Sequence, residues 1–433
     1  MENKQIKISL RTAIILIIIF ILILIGLITI MLKNEKNKEA NIENEQQVEE
    51  ASVSIQKNIE FAIRFLKLED NKQNMVYSPL SIKYALNLLN DGADGNTRTQ
   101  IENVIGDLSL TKYNNIENVL SMANAVFIRD TYEKNVKEEY KKRVEKNYNS
   151  EVKIDAFKSA NNINKWIEKK TFGRINNLIR DEVVQNPDMK MILVNSLAID
   201  MEWKEKFDGK ETIRGGKFYK EDGTEIGVAM MTKKTNGEDV AYYKDSNVTS
   251  LTMDLKEYNN TQLQFAAIMP NEELSDYINK VSAEDIDKVI NKTTNASELK
   301  NELEISIPRF STDYEVNLND DLKKLGINDA FSETTADFSR MTSMTNDNNR
   351  LHVDQVLHKT NIDFTENGTK AASTTVIVLL DRAMIAKEKV KKININKPFL
   401  YLIRDKKTGE IWFIGTIYEP TNWENIKEDY QYK

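Results

Sequence analysis

Gly368-Thr369-Lys370-Ala371-Ala372-Ser373-Thr374-Thr375-Val376-Ile377-Val378-Leu379-Leu380-Asp381-Arg382 is the stretch on which the fold turns. From Thr369 to Leu380 it holds no proline and one charge, Lys370, and it is rich in residues that favour a pleated strand. Its first half is too small and too polar for an ordinary core strand. Such a segment has to live in water and also fit into a sheet. Upstream, Thr360–Thr365 reads as a strand that a Glu366-Asn367-Gly368 break ends. Downstream, Phe399–Ile403 and Ile411–Ile417 read as two apolar strands around a hairpin turn at Asp405–Gly409, where glycine supplies the positive φ.

The run Glu366 to Thr375 resembles the hinge of the serpin reactive loop, and the likeness continues along the chain in family order. Val76-Tyr77-Ser78-Pro79-Leu80-Ser81-Ile82 is similar to the family's F-S-P-x-S-I segment, and Asn124-Ala125-Val126-Phe127 to its N-A-x-F strand. Ile163-Asn164-Lys165-Trp166-Ile167-Glu168 with Thr171-Phe172-Gly173-Arg174-Ile175 resembles its I-N-x-W-V-E…T-x-G-K-I helix. Leu193-Val194-Asn195 with Trp203 resembles its L-V-N…W pattern. Ala336-Asp337-Phe338-Ser339, Pro398-Phe399-Leu400 and Phe413-Ile414-Gly415 complete the likeness, which spans residues 51–420. The chain is similar to serpins of a bacterial type with an N-terminal anchor.

The resemblance implies an α+β serpin fold: a large central mixed β-sheet, about three sheets and about eight or nine helices in all, and an exposed reactive loop. It also implies an inhibitor rather than an enzyme. A protease would attack the loop, form an acyl-enzyme, and be trapped when the freed hinge side inserts into the sheet. The hinge residues would be Glu366, Gly368, Thr369, Lys370, Ala371, Ala372, Ser373, Thr374 and Thr375. The family places Thr369, Ala371, Ser373 and Thr375 inward, and Lys370 then faces water. The scissile bond follows the residue fourteen places after the hinge glycine, which gives Arg382–Ala383. An arginine there suits a trypsin-like serine protease or an Arg-specific cysteine protease, because a guanidinium pairs bidentately with a carboxylate. Trp203, His358 and Asn195 are expected where the loop enters the sheet. Two departures stand out: Lys370 replaces a common Glu, and Ala383 to Lys397 is longer than usual and lysine-rich. The alternative reading keeps the fold without inhibition, as a binding or chaperone module.

Composition agrees with a soluble body and excludes several chemistries. The 433 residues are 40% hydrophobic and 29% charged, with a net charge of −7 and no global basic signature, so nucleic acid is not an expected partner. There is no cysteine, hence no disulfide, thiolate zinc site or thiol nucleophile. The two histidines, His352 and His358, and the lack of a G-x-S-x-G elbow leave hydrolysis without support. Each histidine reads first as a structural residue in a strand; a pH-sensing role for His358 is the alternative. No cofactor or metal is expected, and the chain reads as a monomer.

Five segments are expected: a flank over 1–12, a membrane anchor over 13–32, a polar tether over 33–50, the serpin domain over 51–420 and a polar tail over 421–433. Ala13–Leu32 is almost wholly apolar, and twenty helical residues span about 30 Å, one hydrocarbon core. No A-x-A-like cleavage site follows, which favours an anchor over a cleaved signal peptide and a secreted product. Lysine and arginine balance across the run, so charge does not orient it; the family resemblance puts the serpin domain outside the cell. Tyr132–Tyr148, dense in both signs of charge, reads as a solvated helix rather than a polyanion site.

Overall fold

The computed structural model describes residues 53–106, 110–343, 350–369 and 390–425, together with Lys33. The chain divides into two units, Met1–Ser54 and Ile55–Lys433; the second holds the sheets and the hinge. The expected anchor over 13–32 lies outside the described residues, as does almost all of the tether. So do Lys370 to Thr375 and the Arg382–Ala383 bond.

Five strands matter for function: β1 (Leu120–Arg129), β2 (Ser150–Asp155), β3 (Met191–Ile199), β4 (Phe310–Asn317) and β5 (Leu357–Phe364). β1 lies between β2, which is parallel to it, and β3, which is antiparallel. β4 pairs antiparallel with β5 over its whole length. β3 and β5 thus each have one side taken, by β1 and by β4, and among the described residues the two do not pair with each other. The expected central mixed sheet is present as two parts. Among the described residues there are also a seven-stranded and a four-stranded sheet, the former containing Leu263–Pro270, Phe399–Asp405 and Ile411–Ile417. The α+β architecture is the one expected from the sequence.

β1 is buried along nearly its full length because both of its faces are covered. Val126 and Ile128 point into one apolar cluster, whereas Ala123, Ala125 and Phe127 point into another on the opposite face. That opposite face is roofed by α2 (Asn161–Lys170), whose Ile163, Trp166 and Ile167 recur at helical spacing. The other face rests on helices that include α1 (Pro79–Gly92). Ser78 caps α1 by accepting the Ser81 N–H at 3.1 Å, and Pro79 occupies the first turn, where its missing N–H costs nothing.

The charged stretch 132–148 forms a helix only over Glu138–Tyr148, after a short turn at Glu133–Asn135. Lys141 reaches Glu138 and Glu133, as a solvated face would. Arg143, however, turns inward to Asp91 at the end of α1. Tyr140 and Val144 supply the buried stripe that the charge density hides in the sequence.

Candidate functional site: the slot between β3 and β5

β5 ends at Phe364, and the chain turns back at once. Thr365 N–H donates to Gly368 O at 3.0 Å and Gly368 N–H to Thr365 O at 3.2 Å, closing a tight turn over Glu366 and Asn367. On its other side Gly368 bridges Glu202, just beyond the end of β3. Trp203 N–H donates to Asn367 O at 2.9 Å and Thr369 N–H to Met201 O at 3.0 Å. Gly368 and Thr369 therefore start an antiparallel strand with a neighbour on each side, at the mouth of the slot. Thr369 is fully buried.

Two residues make this turn possible. Gly368 has φ 149°, and a Cβ there would run into the Met201 carbonyl oxygen, so only glycine fits. Glu366 is buried: Phe207 N–H donates to its carbonyl at 3.0 Å, and the Thr212 hydroxyl donates to Oε1 at 2.9 Å. Arg309 Nη1 lies 3.9 Å from Oε2, so the carboxylate has a cation beside it.

Trp203 lies under this turn. Its indole N–H donates to Thr365 O at 2.8 Å, and its ring meets Phe207, Phe265 and Phe364 edge-on. Phe310 stacks on Phe364 from the far side. Trp203 is thus both core and floor of the turn.

The sequence groups Asn195 and His358 with Trp203, but the structure places them further along the slot. His358 precedes Thr365 by seven residues in an extended strand, roughly 23 Å of chain. Both side chains meet the first turn of α1 instead. Ser81 hydrogen-bonds Asn195 Oδ1, and Asn195 Nδ2 donates to Asn124 Oδ1 at 2.7 Å. His358 Nε2 lies 3.0 Å from Ser78 N and 2.8 Å from Thr360 Oγ1. An Nε2 that accepts the Ser78 N–H belongs to a neutral ring. Burial keeps it so by lowering the imidazole to about 4. One helix start thereby ties both edges of the slot. Asn195, in an apolar strand, and His358, on the buried face of a half-buried one, each find a buried partner.

Arg174 completes the mouth. It follows α2, and its guanidinium reaches the Thr369 carbonyl at 3.4 Å and Asp363 on β5 at 3.6 Å. Its motif is plain in the sequence; its reach across the slot depends on packing and is not. The same holds for Thr212 and Arg309 on Glu366. Among the described residues no cluster of three or more histidines and carboxylates is placed to hold a metal ion. Among them, too, no helix is long and apolar enough to cross a membrane.

The family model described as "Serpin (serine protease inhibitor)" matches residues 56–420. Serpin B6 of Bos taurus is 31% identical over 388 residues, covering 83% of this chain and 97% of that protein. The thermophilic serpin tengpin in its native state superposes with a TM-score of 0.69 at 26% identity, over 84% of this chain and 94% of tengpin. Thyroxine-binding globulin in complex with thyroxine gives the same TM-score and identity over 85% of this chain and 99% of that one. With a family model matched to residues 56–420 and a relative 31% identical over most of its length, the chain belongs to the serpin family.

Proposed function

We propose that this serpin inhibits an Arg-specific endopeptidase, trypsin-like or cysteine-type, by suicide trapping. The observation that carries the reading is the position of Gly368 and Thr369, held at the mouth of the slot between Thr365 and Met201 in antiparallel register. A strand continuing from Thr369 finds β3 on one side and β5 on the other. The residues that would follow, Lys370 to Thr375, are small apart from Lys370, and none is proline. The bond at Arg382–Ala383 is the one the family count selects. The similarity to thyroxine-binding globulin favours a second reading, a serpin fold used as a binding module without trapping.

Incubation with trypsin separates the two. Trapping yields an SDS-resistant adduct and a released fragment beginning at Ala383. Clean cleavage without adduct leaves the binding module. Arg382→Ala should slow adduct formation with trypsin by at least about tenfold, the loss of one bidentate charge pair. We further propose that residues 13–32 anchor the protein in a membrane with the serpin domain outside the cell. Alkaline extraction of membranes and protease treatment of intact cells test this. A protein found only in the medium with a processed N-terminus would point to signal cleavage.

A further inference from the structure

We propose that Arg174 is a latch that stops the hinge after its second inserted residue; this rests on the trapping reading above. In an antiparallel ladder, residues facing each other at a hydrogen-bonded position exchange two bonds, one in each direction. The Glu202–Gly368 bridge makes Met201 and Thr369 the next such pair. One bond of the pair is made, from Thr369 N–H to Met201 O at 3.0 Å. Both groups of the second are engaged elsewhere. The Met201 N–H meets the Thr369 hydroxyl oxygen at 3.3 Å, and the Thr369 carbonyl accepts from Arg174 Nη2 at 3.4 Å. The ladder is diverted at this residue.

Arg174 is built to stay there. Thr171 is fully buried; its hydroxyl donates to Ile167 O at 2.9 Å and accepts the Ile175 N–H at 3.1 Å. Phe172 and Gly173, with φ 54° and 76°, fold the chain back between them. Arg174 N–H donates to Thr171 O at 2.9 Å, so its own backbone is held. The guanidinium is steered further by Asp363 on β5, whose Oδ1 also takes the Ser311 hydroxyl at 2.6 Å. For Lys370 and the residues after it to pair, the Thr369 carbonyl must leave Arg174 and turn to Met201 N–H. Arg174 stabilises the state before that step, so it slows the step. It is a positioning residue and touches no protease.

The test uses the full chain and the rate at which intact protein, held warm, becomes higher-melting and resistant to trypsin cleavage. Arg174→Met keeps the stem and removes the donors; it should convert about tenfold faster, the effect of losing one charge-assisted bond in the starting state. Arg174→Lys should fall between it and the unchanged protein. Thr369→Val frees the Met201 N–H and should also accelerate conversion, which keeps the proposal testable should the Arg174 variants misfold. Initial attack by trypsin on the loop should be unchanged in Arg174→Met. Equal or slower conversion in Arg174→Met and Thr369→Val, in a protein that gains stability after nicking, overturns the latch alone. An unchanged protein that gains no stability after nicking overturns the insertion reading and the latch together.

Discussion

Thr369 and His358 show how much one side chain decides here. Thr369 is fully buried at the mouth of the slot, so an arginine there would place an unpaired charge where the first inserted residues must pack. On the proposed trapping mechanism, Thr369→Arg should turn the protein from a trap into a substrate, raising the protein consumed per trypsin trapped by at least about tenfold. Unchanged stoichiometry would contradict the register. His358 governs acid stability instead. Its ordinary value is 6.5 and its folded value about 4. Between these the unfolded chain binds a proton that the folded chain does not, so stability is full above 6.5 and falls as the pH drops toward 4. The loss should be on the order of 2 kcal/mol between about pH 7 and 5. His358→Gln should flatten that part of the melting-temperature profile; parallel profiles for the two proteins would show that His358 is not the source. A ring that stays neutral until about 4 fits the structural role better than a sensor of mild acidity.

At the scale of elements, the slot is defined by what each strand lacks. β3 is paired by β1 and β5 by β4, and the start of α1 holds one edge through Ser81 and the other through Ser78. A strand that enters between them must offer an N–H at each paired position. Ala371→Pro removes one and adds a ring clash. Cleavage at the loop should then proceed normally while the SDS-resistant adduct falls below about a tenth of the unchanged protein's; full adduct yield would mean that this residue never joins the sheet. Much of this level is legible in the chain. Phe399–Ile403 and Ile411–Ile417 read as strands, and the structure has strands over Phe399–Asp405 and Ile411–Ile417. The helix over Glu138–Tyr148 is less legible, because Arg143 directs its charge to Asp91 inside the molecule rather than to water.

For the whole molecule, the proposed trap requires the intact fold to lie above a lower-energy one. A dozen new ladder hydrogen bonds at about 0.5–1.5 kcal/mol each come to roughly 6–18 kcal/mol gross. The intact form would then persist through a kinetic barrier. Protein nicked at Arg382–Ala383 should melt at least about 10 °C above the intact chain. Coincident melting curves would remove the thermodynamic basis of trapping and leave the binding module standing.

Residue order alone determined the family, the break that ends the strand before Gly368 and the absence of thiol chemistry. These follow from local rules: side-chain size, branching, φ preference and composition. Only the tertiary structure decided that Asn195 and His358 meet α1 rather than Trp203, that Glu366 is buried beside Arg309, and that Arg174 reaches the hinge. Each of those contacts joins segments far apart in the chain. Their geometry is set by how two sheet edges and a helix end pack together, and no local pattern encodes that.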